Sequence, residues 1–273
     1  MIMKQLESAV EKVRAMGYRP VYAALYGSQN YGLDVYGDEY QSDYDVKVIV
    51  MPSLHDMVFK DAKVSLTIDY DGGQIDVKDA ITMTQIICKM NTQYLEILLT
   101  PFYLVLPGGE YMEQMRGFLD QLLLERAPLF AKAVFGHFQE KVKKAQHVSP
   151  SSAEKIEKYG YDGKQLHHAF RLKLMLEDFE KTGRMVLHPP SDKVAYLIRI
   201  KKNEIPFEEL FASSKLWHDE ISQCANRIIA SRYVSGEAAE EVMHFTKQAL
   251  YMALRYEAMG LKEVIDAKEV ISK

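Results

Sequence analysis

The sequence predicts an α+β chain, with a small mixed β-sheet domain over residues 1–108 followed by a helical domain over 109–273. Three observations carry that prediction. Period-two alternation and short β-rich runs are confined to the chain before residue 110. Apolar residues at helical spacing dominate the remainder of the chain. Prolines and glycines punctuate the change, at Pro101 and at Pro107-Gly108-Gly109.

Each element can be read from its local pattern. Leu6, Val10, Val13 and Met16 keep a helical period, which predicts a helix from Lys4 to Met16 that Gly17 breaks. Pro20 precedes the β-rich run Val21 to Tyr26. Asn30 to Gln41 has turn residues and no apolar period, and reads as a loop or a short turn of helix. A strand from Asp43 to Met51 stops at Pro52. Val64, Leu66, Ile68 and Tyr70 alternate with Ser65, Thr67 and Asp69, and Asp71-Gly72 is a favoured hairpin turn. That turn pairs Tyr70 with Gly73, Asp69 with Gln74 and Thr67 with Asp76. Ile68 then faces Ile75 and Leu66 faces Val77 on the apolar side, leaving Asp76 on the polar face.

Beyond Asp79 the pattern turns helical. Asp79 or its neighbour caps a helix with the stripe Met83, Ile86, Ile87 and Met90, and Asn91-Thr92 starts another. Phe102 to Leu106 is a short extended piece. Long helices are predicted over 111–126, 128–145, 163–182, 207–230 and 236–259, with a loop at 149–152. The sequence holds no internal repeat, heptad series or low-complexity tract.

Composition narrows the function classes. A 48% hydrophobic and 26% charged share fits an ordinary globular chain with an ample core. The net charge of −4, from 34 basic and 38 acidic residues, excludes a globally basic nucleic-acid binder but not a local basic patch. Lys141, Lys143 and Lys144 form one such cluster, which reads first as a solvated helix face. No apolar run reaches the roughly 20 residues of a membrane helix. The start of the chain becomes charged at once and lacks a signal-peptide core, so a cytoplasmic protein with no membrane partner is expected. Cys88 and Cys224, far apart in sequence, read as buried free thiols.

The chemistry-bearing residues lie near the two earliest strands. Leu25-Tyr26-Gly27-Ser28 closes one apolar run, and Ser42-Asp43-Tyr44-Asp45 opens the next. Alternate residues of a strand share a side, so Asp43 and Asp45 would project together about 7 Å apart. Two carboxylates so placed suit a divalent metal, while a Gly-Ser turn offers a hydroxyl and backbone N–H groups to phosphate oxygens. Two aspartates at a solvent-facing strand start are the bland alternative. Asp34 to Asp38 does not follow an EF-hand order, and His167-His168 are adjacent and cannot both reach one zinc ion from a helix. Neither a P-loop nor a Gly-x-Ser-x-Gly elbow is present.

Gly27-Ser28, then Asp43-Tyr44-Asp45, then a lone acid on a later strand resembles the signature of the DNA polymerase beta-like nucleotidyltransferase superfamily. More closely, the chain is similar to predicted bacterial and phage nucleotidyltransferases associated with RNA repair, the RlaP/YcgL-type group. The shared blocks are Tyr26-Gly27-Ser28 with Tyr31-Gly32, Ser42-Asp43-x-Asp45, and Asn91 followed by Leu95-Glu96. Lys164-x-x-x-His168-Ala169-x-Arg171-Leu172 and Leu197-Ile198-Arg199 complete the set.

The resemblance implies a polymerase beta-like catalytic domain whose helical partner completes the cleft. It implies a Mg²⁺- or Mn²⁺-dependent transfer of NMP from an NTP to an acceptor hydroxyl, with RNA or tRNA as a candidate acceptor. Asp43, Asp45 and Asp76 would be the catalytic and metal-binding carboxylates, and Gly27 and Ser28 would hold phosphates. Lys164, His168 and Arg171, which fall within about 60° of arc on one helix, would add nucleotide-binding charge from the opposite wall. Salt bridges to Asp and Glu of neighbouring helices are the second-ranked account of that stripe. An NMP-transferring toxin or effector acting on a protein or a tRNA end shares this chemistry. A non-catalytic nucleotide-binding module shares the fold but has no need of a third carboxylate. Asn91 and Glu96 sit near a helix start, where capping explains them without catalysis.

Overall fold

The computed structural model describes residues 2–37, 40–59, 63–71, 73–150, 152–231 and 236–260. Gly72 of the expected hairpin turn lies outside them. The chain is mixed α+β, and its contacts group into two compact units. The first takes Met1–Asn30, Gln41–Leu122 and Gly236–Lys273, and the second takes Tyr31–Tyr40 and Leu123–Ser235.

The first unit is built on a five-stranded sheet. Its strands in chain order are β1 (Pro20–Tyr26), β4 (Asp45–Val50), β5 (Ser65–Tyr70), β6 (Gly73–Asp79) and β7 (Tyr103–Val105), arranged β5-β6-β4-β1-β7. The two-residue strands β2 (Tyr36–Gly37) and β3 (Tyr40–Gln41) form a separate ribbon. β4 and β6 run parallel, whereas the β1–β4, β1–β7 and β5–β6 pairs are antiparallel. The β5–β6 register pairs Tyr70 with Gly73, Asp69 with Gln74 and Thr67 with Asp76, as the alternation and turn predict.

Alternation sorts the sheet into two faces. Ala23, Leu25, Val46, Val48, Val50, Ile75 and Val77 point to the side covered by α1 (Ile2–Ala15). Leu6, Ala9, Val10 and Val13 of that helix fill the core against them, as expected from the helical period of its sequence. The other face carries Tyr26, Asp45, Lys47, Gln74, Asp76 and Lys78, the intervening residues of the same strands. Asp76 is therefore on the polar face.

Asp79 ends β6 and caps α3 (Ala80–Cys88), accepting the Thr82 N–H at 2.8 Å while its second oxygen accepts the Val64 N–H at 2.9 Å. Asn91 caps α4 (Thr92–Leu95) by accepting the Gln93 N–H, so its polarity is explained by the helix start. The last described helix, α11 (Glu237–Ala258), packs back on α3, where the Thr84 and Thr246 hydroxyls meet at 2.7 Å. The compact grouping thus crosses residue 108. α5 (Tyr111–Glu125) is shared at its end, and α11 belongs with the sheet.

The second unit holds α6 (Ala127–Lys144), α7 (Ala153–Tyr159), α8 (Gly163–Thr182), α9 (Ser191–Lys201) and α10 (Phe207–Ser231). α8 spans the interval its sequence predicts and is packed on several sides, by α6, α9 and α10. Trp217 stacks on Phe170 at 4.5 Å, a core contact. Two short helices, α7 and α2 (Leu54–Phe59), are not anticipated by the sequence pattern, and neither is α9. No helix among the described residues is long and apolar enough to cross a membrane.

Candidate functional site

The upper rim of the sheet brings the Gly-Ser turn to the first acidic pair. β1 ends at Tyr26, directly opposite Asp45 in the register. Gly27 comes next with φ +88°, a left-handed backbone that favours glycine, and a Cβ there would sit 3.5 Å from Asp45 Oδ2. Ser28 then opens a short 3₁₀ turn, Ser28–Tyr31. Asn30 fixes this turn from below, donating to the Leu25 carbonyl at 2.7 Å and accepting from the Thr100 hydroxyl at 2.7 Å. The chain reversal that presents Ser28 is therefore anchored in the core.

Asp45 is the first residue of β4, and Asp43 stands two residues earlier on an exposed approach to it. Both face the start of β6. Asp45 Oδ1 accepts the Gln74 N–H at 3.3 Å, and a Cβ on Gly73 would fall 3.1 Å from Asp43 Cβ and 2.9 Å from the Tyr44 carbonyl oxygen. Gly73 thus allows β6 to press against the Asp43–Asp45 segment. Tyr70 ties the same segment from β5, donating its hydroxyl to the Tyr44 carbonyl at 2.6 Å.

Asp76 has a different setting. It lies opposite Lys47, one side-chain row below Asp45. Its Oδ2 accepts Lys47 Nζ at 2.7 Å and the Tyr94 hydroxyl at 2.5 Å, and its Oδ1 accepts Lys78 Nζ at 2.6 Å. Burial would raise its pKa, but Lys47, Lys78 and Tyr94 outweigh that and hold the carboxyl below its ordinary value. Lys47 is only 2% exposed and lies between the rings of Tyr26, 3.9 Å from the centroid, and Tyr94, at 4.1 Å. Burial lowers its pKa against the opposing pull of Asp76 and of the buried Glu96. The same burial, with Asp45, Asp76 and Glu96 nearby, pushes the Tyr26 phenol up.

The residues present therefore fit a divalent cation in part. Asp43 and Asp45 stand at an accessible rim beside the Gly27-Ser28 turn. Asp76, with both oxygens held by ammonium groups, does not fit as a ligand in this arrangement. Among the described residues, no group of three or more His, Cys, Asp or Glu side chains is placed to hold a metal ion.

Within the second unit, α8 presents Lys164, His168 and Arg171 as one stripe. Lys164 and His168 are half-buried, and Arg171 is buried with its guanidinium 3.6 Å over the Tyr31 ring. α6 packs alongside and adds His137 and Lys141, which the sequence pattern alone does not join to the stripe. These groups feel one another. Burial, then His167, Arg171, Lys141 and Lys164, push His168 well below its ordinary pKa. Burial and the charges of Lys141 and Arg171 push His137 down to about 4. Burial and Lys144 lead the causes that lower Lys141. The result is a concentration of positive charge between two helices, with neutral imidazoles among the cations. Arg199 lies near the end of α9 and is exposed.

No family model and no curated protein sequence matches the chain. Among solved structures it is similar to a nucleotidyltransferase-like protein from Exiguobacterium sibiricum 255-15. That likeness has 13% identity and a TM-score of 0.29, and covers 89% of this chain and 80% of the other.

Proposed function

We propose that the chain is a nucleotidyltransferase, moving NMP from an NTP to an acceptor hydroxyl, with RNA or a tRNA end as the acceptor. One observation carries the reading. The Gly27-Ser28 turn and the Asp43/Asp45 pair meet at one rim, where Asp45 lies opposite Tyr26 and its Oδ2 would lie 3.5 Å from a Cβ placed on Gly27. A phosphate-holding turn beside paired carboxylates is the arrangement a metal-bound triphosphate requires.

In this reading the Ser28 hydroxyl and the backbone of its turn hold the β- and γ-phosphates. Asp43 and Asp45 hold Mg²⁺ or Mn²⁺, which when bound neutralises triphosphate charge and favours departure of pyrophosphate. The acceptor oxygen forms a bond to the α-phosphorus, the bond to the pyrophosphate oxygen breaks, and the acceptor proton leaves to water. Lys164, His168 and Arg171, with Lys141, supply a second phosphate-binding surface, within the helical unit.

Direct binding tests the proposal. A labelled NTP with Mn²⁺ should bind the chain, and Ser28→Ala should weaken that binding by about 1.5–3 kcal/mol, the worth of one hydrogen bond to a charged group. Asp43→Asn/Asp45→Asn should abolish the Mn²⁺-dependent part. Unchanged affinity in the double variant contradicts the site assignment.

A further inference from the structure

We infer, resting on the nucleotidyl-transfer reading, that Asp76 is not a metal ligand: with Lys47 and Lys78 it forms a fixed ion network, and divalent metal is confined to one ion at Asp43 and Asp45. Both Asp76 oxygens are engaged, by Lys47 at 2.7 Å, Lys78 at 2.6 Å and Tyr94 at 2.5 Å. Turning the carboxylate toward a metal would strand Lys47, a buried ammonium walled in by the Tyr26 and Tyr94 rings. That penalty opposes any rearrangement a bound ion could induce.

Register agrees with this assignment. Along β6, the residue aligned with Asp45 is Gln74, an amide, while Asp76 is aligned with Lys47. The acid in the Asp45 row is Asp69 on β5, which accepts the Gln74 side chain at 3.1 Å and stands two strands away, about 9–10 Å. Neither Asp69 nor Asp76 completes a three-carboxylate cage with Asp43 and Asp45.

Mn²⁺ titration of the full chain with a non-hydrolysable NTP analogue, tracked by calorimetry and by the EPR signal of free Mn²⁺, tests the inference. One Mn²⁺ per chain is expected. Asp76→Asn should lower thermal stability and leave Mn²⁺ affinity within about twofold. Lys78→Met frees one Asp76 oxygen while keeping Lys47 paired, and serves if Asp76→Asn does not fold. It too should leave stoichiometry and affinity unchanged. Two ions per chain, a loss of about tenfold or more in folded Asp76→Asn, or a gain of that size in Lys78→Met overturns the inference while sparing the nucleotidyl-transfer reading. Absence of any Mn²⁺ binding overturns both.

Discussion

Tyr94 meets the ion network with its hydroxyl, at Asp76, and with its ring, at Lys47, so a change that keeps the ring isolates the hydroxyl's share. Its hydroxyl donates to Asp76, so Tyr94→Phe removes one hydrogen bond to a charged group and should cost about 1.5–3 kcal/mol in urea unfolding. Asp76 also predicts a direction with pH. Its folded pKa lies below the ordinary value of 3.8, so the unfolded chain takes up the proton first on acidification. The network's stabilisation is complete above that value and is lost as pH falls below it through the folded pKa. Lys47 was not legible in the sequence. It sits between Val46 and Val48 in an apolar run, and only the parallel register of β4 against β6 reveals Asp76 opposite it. No local signal sets the register of strands joined by a long crossover. Gly27, by contrast, was legible, because a Gly-Ser pair at a strand end implies a turn. With φ +88°, Gly27→Ala should cost about 1–2 kcal/mol and displace Ser28, seen as weaker NTP binding.

At the scale of elements, the hairpin was the most legible part of the chain. Strict alternation and the Asp71-Gly72 turn leave one register that buries Ile75 and Val77, and the strands adopt it. The long helices were nearly as clear, since their apolar stripes run over several turns. α2, α7 and α9 were missed for an opposite reason. α2 and α7 bury no residue, and α9 buries only Leu197, Ile200 and Lys201, so their periodic signal is weak. The sequence narrows the cap to Asp79 or its neighbour, but gives no sign of the second link from Asp79 to the residue before β5. Because its carboxylate accepts both Thr82 and Val64 N–H groups in a buried position, Asp79→Ala should cost about 1–3 kcal/mol, more than a surface cap. Unfolding curves for Asp79→Ala and Asp79→Asn would show the difference. The cluster on α6 and α8 escaped the sequence because helix pairing is a tertiary fact; Lys141 alone reads as a solvated lysine.

For the molecule as a whole, the two units should respond differently to acid. Burial, despite the bond to the Leu197 carbonyl, holds His167 down to about 3, and His137 lies at about 4, whereas both titrate near 6.5 when unfolded. The unfolded chain therefore binds these protons first, and the second unit should lose stability as pH falls from about 6.5 toward 4. His167→Gln should flatten that part of a thermal-unfolding pH profile. The basic cluster has its own test. Replacing Lys164 and Arg171 together should raise the NTP or RNA dissociation constant, with the effect fading at high salt for solvent-exposed contacts. A purely structural role for the pair would instead lower thermal stability and leave affinity unchanged.

The most direct test of the central claim is a transfer assay. The full chain is incubated with each α-labelled NTP, Mg²⁺ or Mn²⁺ and total cellular RNA plus protein, and both labelled product and released pyrophosphate are measured. Nucleotidyl transfer at the Asp43/Asp45 rim predicts label in the RNA fraction, equimolar pyrophosphate, and loss of both in Asp43→Asn/Asp45→Asn. No labelled acceptor and no pyrophosphate from any NTP, or undiminished transfer by the double variant, would contradict it.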